Sequence, residues 1–356
     1  MLFANEWLLI FLYNIPEGKN PVPMKDGFGR TIDYLRLSIT DRCNLRCAYC
    51  MPDGIVSFPM SEILSLEEIV FTASIMAELG IKKIKITGGE PLVRKGCVTL
   101  IRMLKEIPGI EEVTLTTNGV LLYENLPALL EAGLDAVNIS IDTLDKDRYR
   151  KLTGFDCLGK VLSSVDSAIR SGIPVKINAV SVDFSSLDGS PDKYKETLDL
   201  IDFSKDRDVI IRFIEMMPLG LGKDYPGIPH NSLIPFVLER VSGMTPDPVR
   251  HGNGPAVYYT IPGYKGRIGF ISAINDKFCE NCNRVRLTTT GYLKTCLCYD
   301  KGTGLMDVIR GGGSDEEKHD LLKQMIKEAI TDKPKMHCFE DRDNISEKHV
   351  MSSIGG

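Results

Sequence analysis

The stretch DRCNLRCAYCMP, residues 41–52, places Cys43, Cys47 and Cys50 within eight positions. It follows IDYLRLSI (32–39), a run rich in β-branched and aromatic residues, so the thiols sit on a tight loop leaving a predicted strand. A structural zinc site usually takes four ligands, and no fourth Cys or His lies near these three in the sequence. Three thiolates around a cubane of iron and sulfide leave one iron without a protein ligand, open to a small molecule.

Similar β runs recur downstream: KKIKIT (82–87), EVTLTT (112–117), AVNISI (136–141), PVKINAV (174–180) and DVIIRFI (208–214). Each is followed by a helical pattern. The clearest is SLEEIVFTASIMAELG (65–80), with Ser65 and Glu68 as a capping box and Gly80 as a stop. Six strand–helix alternations predict an α/β fold with a parallel sheet. Cys43, Gly88, Asn118, Ser140 and Asp142 are all expected just past the C-terminal ends of strands. A barrel gathers such ends around one mouth, so the expected architecture is an incomplete TIM-type barrel of about six βα units. From about residue 245 proline and glycine punctuate short β-like runs, AVYYTI, RIGFIS and RVRLTT, which read as a C-terminal region packed on the barrel.

The chain of 356 residues can bury one large core, so its ten cysteines need not be a disulfide framework. EWLLIFLY near the N-terminus is apolar only over Trp7–Tyr13, too short for a membrane span and without the basic flank of a signal peptide. The expectation is a soluble, cytoplasmic protein. A net charge of −5 argues against a nucleic-acid surface, so any bound polyanion should be small and held by local cations.

Two further motifs carry chemistry. TGGEP (87–91) follows the second strand; alone it reads as a turn. Farther on, FCENCNRVRLTTTGYLKTCL brings Cys279 and Cys282, then Cys296. A zinc ribbon using Cys298 as fourth ligand fits the spacing as well. However, Arg284 and Arg286 alternate on a predicted strand and share a face beside the cysteines. A structural zinc does not require paired guanidiniums, whereas an anionic substrate at a second cluster does.

CxxxCxYC together with GGEP resembles the radical S-adenosylmethionine superfamily, in which a reduced 4Fe–4S cluster cleaves the sulfonium to a 5'-deoxyadenosyl radical and the GGE motif receives the amino group of S-adenosylmethionine. From about residue 27 to 356 the chain resembles the GTP 3',8-cyclase family of molybdenum cofactor biosynthesis. The resemblance runs from FGRTIDYLRLSITDRCNLRCAYCMP through KIKITGGEPLVRKG, TLTTNG, NISIDTL, PVKINAV and IRFIEMMPLG to the closing MSSIGG.

The resemblance implies that Cys43, Cys47 and Cys50 hold one 4Fe–4S cluster and that Cys279, Cys282 and Cys296 hold a second, near the guanine. It implies that Tyr49, Gly89, Ser140 and Met217 line the S-adenosylmethionine site. Arg36, Lys85, Thr116, Lys176, Arg212, Arg284, Val285 and Arg286 match GTP-contacting positions; Lys85 stands where an arginine is common. Arg284 and Arg286, with the terminal Gly355 and Gly356, are expected in the catalytic machinery. The implied organisation is an extension (1–26) without assigned role, a radical S-adenosylmethionine partial barrel (27–245), a cluster and GTP-binding region (246–340) and a tail (341–356). The implied reaction abstracts the 3' hydrogen of GTP and closes the resulting carbon radical on C8, giving 3',8-cyclo-7,8-dihydro-GTP. An electron donor and a downstream cyclic pyranopterin monophosphate synthase are the implied partners, with no nucleic acid and no membrane; a homodimer is left open. The rival readings are a peptide-modifying radical enzyme with an auxiliary cluster and a zinc-stabilised scaffold. Cys97, Cys157, Cys298 and Cys338 match no ligand position.

Overall fold

The polar residues within the β runs recur at every second position, and this alternation sets the architecture. In a computed structural model, which describes residues 23–54, 57–349, Met351 and Ile354, six of the runs form parallel strands. They are β1 (Tyr34–Ser38), β2 (Lys83–Thr87), β3 (Glu112–Thr117), β4 (Ala136–Ser140), β5 (Val175–Val180) and β6 (Ile210–Ile214). Successive strands are neighbours in the sheet. Successive side chains on a strand point to opposite faces. Leu35 and Leu37, Ile84 and Ile86, Val113 and Leu115, Val137 and Ile139, and Ile211 and Phe213 therefore share one face, and all are buried in the main core. Burying each such side chain contributes about 1.5–3 kcal/mol. The opposite face carries Arg36, Lys85, Thr114, Asn138, Lys176 and Arg212, which line a single cavity. The inner surface of this open, curved sheet is thus polar.

Helices cover the apolar face. They are α1 (Leu66–Glu78), α2 (Cys97–Lys105), α3 (Leu122–Glu131), α4 (Lys146–Thr153), α5 (Leu158–Arg170), the short α6 (Ser185–Asp188), α7 (Lys195–Phe203), α8 (His230–Arg240), α9 (Met306–Arg310) and α10 (Asp315–Thr331). The predicted capping box of α1 is present: the Glu68 N–H donates to Ser65 Oγ at 3.1 Å, and the Ser65 N–H to Glu68 Oε2 at 2.7 Å. α10 buries Leu322, Ile326 and Ile330, one stripe at i, i+4 and i+8. It packs on α1, where Glu78 Oε1 lies 2.9 Å from His319 Nε2 and Glu78 Oε2 lies 2.5 Å from Lys323 Nζ.

The region after residue 245 joins the same sheet as the six parallel strands. It extends the sheet at both edges. β7 (Thr245–Asp247), β8 (Val257–Thr260) and β9 (Arg267–Ile271) add beyond β6, with β9 parallel to it. β10 (Arg284–Leu287), β11 (Tyr292–Lys294) and β12 (Gly302–Gly304) add beyond β1, with β10 parallel to β1. The reason is edge satisfaction: both flanks of a six-stranded parallel array expose unpaired backbone groups, and these strands pair them. The twelve strands form one sheet in the order β12-β11-β10-β1-β2-β3-β4-β5-β6-β9-β8-β7. Among the described residues, no helix is long and apolar enough to cross a membrane.

Candidate active site

The loop after β1 is fastened from two sides. The Gly89 N–H donates to Thr40 O at 2.7 Å and the Glu90 N–H to Arg42 O at 2.8 Å, while the Arg46 and Ala48 N–H groups donate to Thr153 O and Leu152 O at the end of α4, both at 2.8 Å. The glycines of GGEP are required by this approach, since a Cβ on Gly89 would lie 2.3 Å from Arg42 O and one on Gly88 2.4 Å from Thr40 O. Within the loop the Cys50 N–H donates to Cys47 O at 2.9 Å and the Leu45 N–H to Cys43 Sγ at 3.4 Å. Asn118 Nδ2 reaches Asn44 Oδ1 at 2.7 Å and Cys43 Sγ at 3.8 Å. Burial pushes the Cys47 thiol well up, with the charges of Asp142, Cys50 and Cys43 adding to it. Three thiols on one loop, two of them acting on the third, form a donor set suited to a shared cationic centre.

Tyr49 and Asp142 join this loop to the ends of β4 and β5. The Tyr49 hydroxyl donates to Asp142 Oδ2 at 2.7 Å, and Asp142 Oδ1 accepts the Val180 N–H at 2.7 Å. Burial raises the Asp142 carboxyl to about 6 against these two bonds. Glu90, whose carboxylate the family motif would turn toward the cosubstrate, points elsewhere. It is fully buried, does not line the cavity, and accepts from Leu92 N (3.0 Å), Thr117 Oγ1 (2.8 Å) and Asn118 N (2.6 Å). Its carboxylate thus braces the ends of β2 and β3, and burial raises it to about 7.

The cavity, about 370 Å³, is within the range that holds a small ligand. Strand register builds its cationic belt: Arg286 of β10 is opposite Arg36 of β1, and Arg36 is opposite Lys85 of β2. Lys176 is opposite Asn138, and Arg212 is opposite Asn178 and donates to its Oδ1 through Nε at 2.9 Å. Burial draws Lys85 well below its ordinary value, helped by Arg212, Arg36 and Lys176. Burial and Arg212 lower Lys176 to about 8, and Arg286 falls through burial and the charges of Arg36 and Arg284. Among the described residues, no carboxylate lies within salt-bridge distance of Lys85, Lys176 or Arg212. Buried like charges arranged this way favour a polyanion.

The second cysteine set lies at the other end of the belt. Arg284 pairs with Tyr34, the first residue of β1, so Cys282 precedes the start of the parallel pair, whereas Cys43 follows its end. β11 runs antiparallel to β10 and returns Cys296 to the same end as Cys282. The five residues of β1 alone span about 13 Å at roughly 3.3 Å per residue, so the two triads face each other along the cavity. The Arg284 guanidinium lies 4.9 Å from the centre of the Phe278 ring. Burial acts to raise the Cys282 thiol. The charges of Arg284 and Lys333 oppose it, and the thiol falls to about 7.

The cavity is lined by all six cysteines and by Tyr49, Gly89, Ser140, Met217, Arg36, Lys85, Thr116, Lys176, Arg212, Arg284 and Arg286. Val285 is the exception. Its side chain is fully buried in the core and does not line the cavity, because on a strand it must face away from Arg284 and Arg286. Gly355 and Gly356 lie outside the described residues; Met351 lines the cavity, and Ile354 is buried with Leu219, Leu297 and Phe339. Cys298 and Cys338 lie with their sulfurs 3.3 Å apart behind Cys296. Asn138, Asn178, Arg30 and Lys333 also line the cavity. Asn138 and Asn178 were detectable as polar residues within apolar β runs, but nothing local marks Arg30 or Lys333.

Two families together account for most of the chain. Residues 37–211 match the Radical SAM superfamily, and residues 209–339 match the family described as Molybdenum Cofactor Synthesis C. The chain is 43% identical over 334 residues to a GTP 3',8-cyclase of Clostridium perfringens, covering 94% of this chain and 100% of that one. It is 42% identical over 338 residues to the Petrotoga mobilis GTP 3',8-cyclase (94% and 100% covered) and 40% identical over 344 residues to that of Listeria monocytogenes (94% and 99%). Among solved structures, Streptococcus suis SuiB bound to S-adenosylmethionine superposes with a TM-score of 0.59, covering 90% of this chain and 77% of that one. At 13% identity that likeness shows the fold alone. With near-complete coverage at this identity, the chain belongs to the GTP 3',8-cyclase family of the Radical SAM superfamily.

Proposed function

We propose that this protein is a GTP 3',8-cyclase that uses S-adenosylmethionine and two 4Fe–4S clusters to make 3',8-cyclo-7,8-dihydro-GTP, the first step of molybdenum cofactor biosynthesis. The observation that carries the proposal is one cavity with a cysteine triad at each end and a belt of buried and half-buried cations between them. Each triad supplies three thiolates, which fits a cluster with one open iron. When bound and reduced, the first cluster supplies the electron that cleaves S-adenosylmethionine to the 5'-deoxyadenosyl radical.

The chain's own residues bind, orient and exclude water. Arg36, Lys85, Lys176, Arg212 and Arg286 receive the triphosphate, and Arg284 stands beside the second triad. Gly88 and Gly89 hold the first loop against the backbone of residues 40–42, and the Tyr49–Asp142 bond fixes its far side. Ser140 and Met217 line the cosubstrate's portion of the cavity. In this reading Gly355 and Gly356, which follow the cavity-lining Met351 and the buried Ile354 in the sequence, help organise the two ligands. An electron donor feeds the first cluster, a downstream cyclic pyranopterin monophosphate synthase takes the product, and the protein works in the cytoplasm.

The test is anaerobic turnover by the reconstituted chain with GTP, S-adenosylmethionine and dithionite. Consumed GTP should be recovered as the cyclised product. Formation of 5'-deoxyadenosine while GTP is recovered unchanged would assign the cavity to another substrate.

A further inference from the structure

The second cysteine triad is backed by a cation that the GTP reading does not use. Lys333 follows α10 and is 3% exposed. Its ammonium donates to Arg284 O at 3.0 Å and also to Thr295 O, two carbonyls on the segments that carry Cys282 and Cys296. Lys333 also acts on the Cys282 and Cys296 sulfurs as a positive charge. Arg30 holds the following segment in place, donating to Pro334 O at 2.7 Å and to Lys335 O and Cys279 O, both at 2.8 Å. From the same segment the His337 N–H donates to Cys279 Sγ at 3.4 Å.

The charge on Lys333 has no carboxylate to answer it. Lys294, the other deeply buried lysine of this region, pairs with Glu347 at 2.5 Å. Among the described residues, Lys333 forms no such pair. A buried ammonium needs a compensating negative charge, and the sulfurs of the second triad supply it. The first triad has mixed surroundings: Asp142 acts on Cys47 and Glu90 on Cys43 as negative neighbours, and Arg46 acts on Cys43 as a positive one.

We propose that Lys333 is a positioning residue that serves as the fixed counter-charge of the second triad and raises the reduction potential of the cluster held there. This rests on the proposed function only in taking the second triad to hold a 4Fe–4S cluster. One-electron reduction adds a negative charge to the cluster and its thiolates. A buried cation held beside the ligand sulfurs stabilises that reduced form more than the oxidised one, and local net charge is one of the levers that set such potentials.

The experiment uses the full-length chain with Cys43, Cys47 and Cys50 replaced by alanine, reconstituted anaerobically so that only the second cluster forms. Its midpoint is measured by redox titration followed by electron paramagnetic resonance, without nucleotide or S-adenosylmethionine. In the Lys333→Met variant the ratio of reduced to oxidised cluster at a fixed potential should fall at least tenfold, a negative shift of about 59 mV for a one-electron couple. Lys333→Arg, which keeps the charge, should stay within about threefold of the parent, under half of that shift. An unchanged midpoint in a Lys333→Met variant with full iron content overturns the inference. So does loss of the cluster from both Lys333→Met and Lys333→Gln, which would make the lysine a structural strut. Absence of iron in the parent of this series is a distinct failure: it removes the second cluster itself.

Discussion

Replacing Lys85 by methionine should move folding stability and nucleotide affinity in opposite directions. Lys85 is 8% exposed on β2, opposite Arg36 and facing the same cavity as Lys176 and Arg212. Like charges about 8 Å apart in an effective dielectric of about 20 repel by about 2 kcal/mol. Methionine keeps an unbranched stem of similar length and needs no counter-ion, so without nucleotide the variant escapes both that repulsion and the desolvation cost of the ammonium. A gain of about 1–2 kcal/mol in a chain of this size raises the melting temperature by roughly 2–4 °C. With GTP the sign reverses. A charge-assisted contact is worth about 1.5–3 kcal/mol, so affinity should fall by about 10- to 150-fold. Calorimetry of the reconstituted protein with and without GTP measures both effects. A variant that melts lower than the parent without nucleotide, or binds GTP as tightly, refutes the view of the belt as a strained anion cradle.

Lys176, lowered to about 8, should make GTP affinity fall as pH rises through about 8, and Lys176→Met should flatten that profile in titrations between pH 7 and 9.5. The same depression has a stability sign. Between its folded value and the unfolded value of 10.5 the unfolded chain binds more protons, so nucleotide-free stability rises with pH across that window and the lysine's cost is greatest below it. Gly89→Ala would put a Cβ 2.3 Å from Arg42 O; overpacking of this kind costs about 1–3 kcal/mol, and iron counting should show the first cluster lost and the second kept. Deleting Gly355 and Gly356 should leave iron content and melting temperature unchanged while abolishing product, and a parent-like turnover would assign the tail no part in catalysis.

The six barrel strands were legible because each is a short run with polar residues at every second position between turn signals, and α1 because its capping box is local. The three-residue strands β7, β11 and β12 carry too little pattern to stand out. The placement of β10 beside β1 was not legible, since pairing Arg286 with Arg36 depends on which edge of the sheet remained open. For the same reason the end of the belt at which the second triad stands was not legible; the parallel register of β10 puts it opposite the first. The shared face of Arg284 and Arg286 could be read from alternation, and the same rule excludes the Val285 side chain from the cavity. Glu90 shows the limit of motif reading: the spacing locates the residue, but the Thr117 and Asn118 donors that turn its carboxylate inward come from another strand. Lys333 had no local signal at all; its role follows from where α10 ends.

The most direct test of the central claim is anaerobic turnover with GTP carrying deuterium at C3'. The account predicts deuterium in the 5'-deoxyadenosine formed, together with a cyclised product that has lost it from that carbon. Deuterium-free 5'-deoxyadenosine beside intact labelled GTP would contradict it.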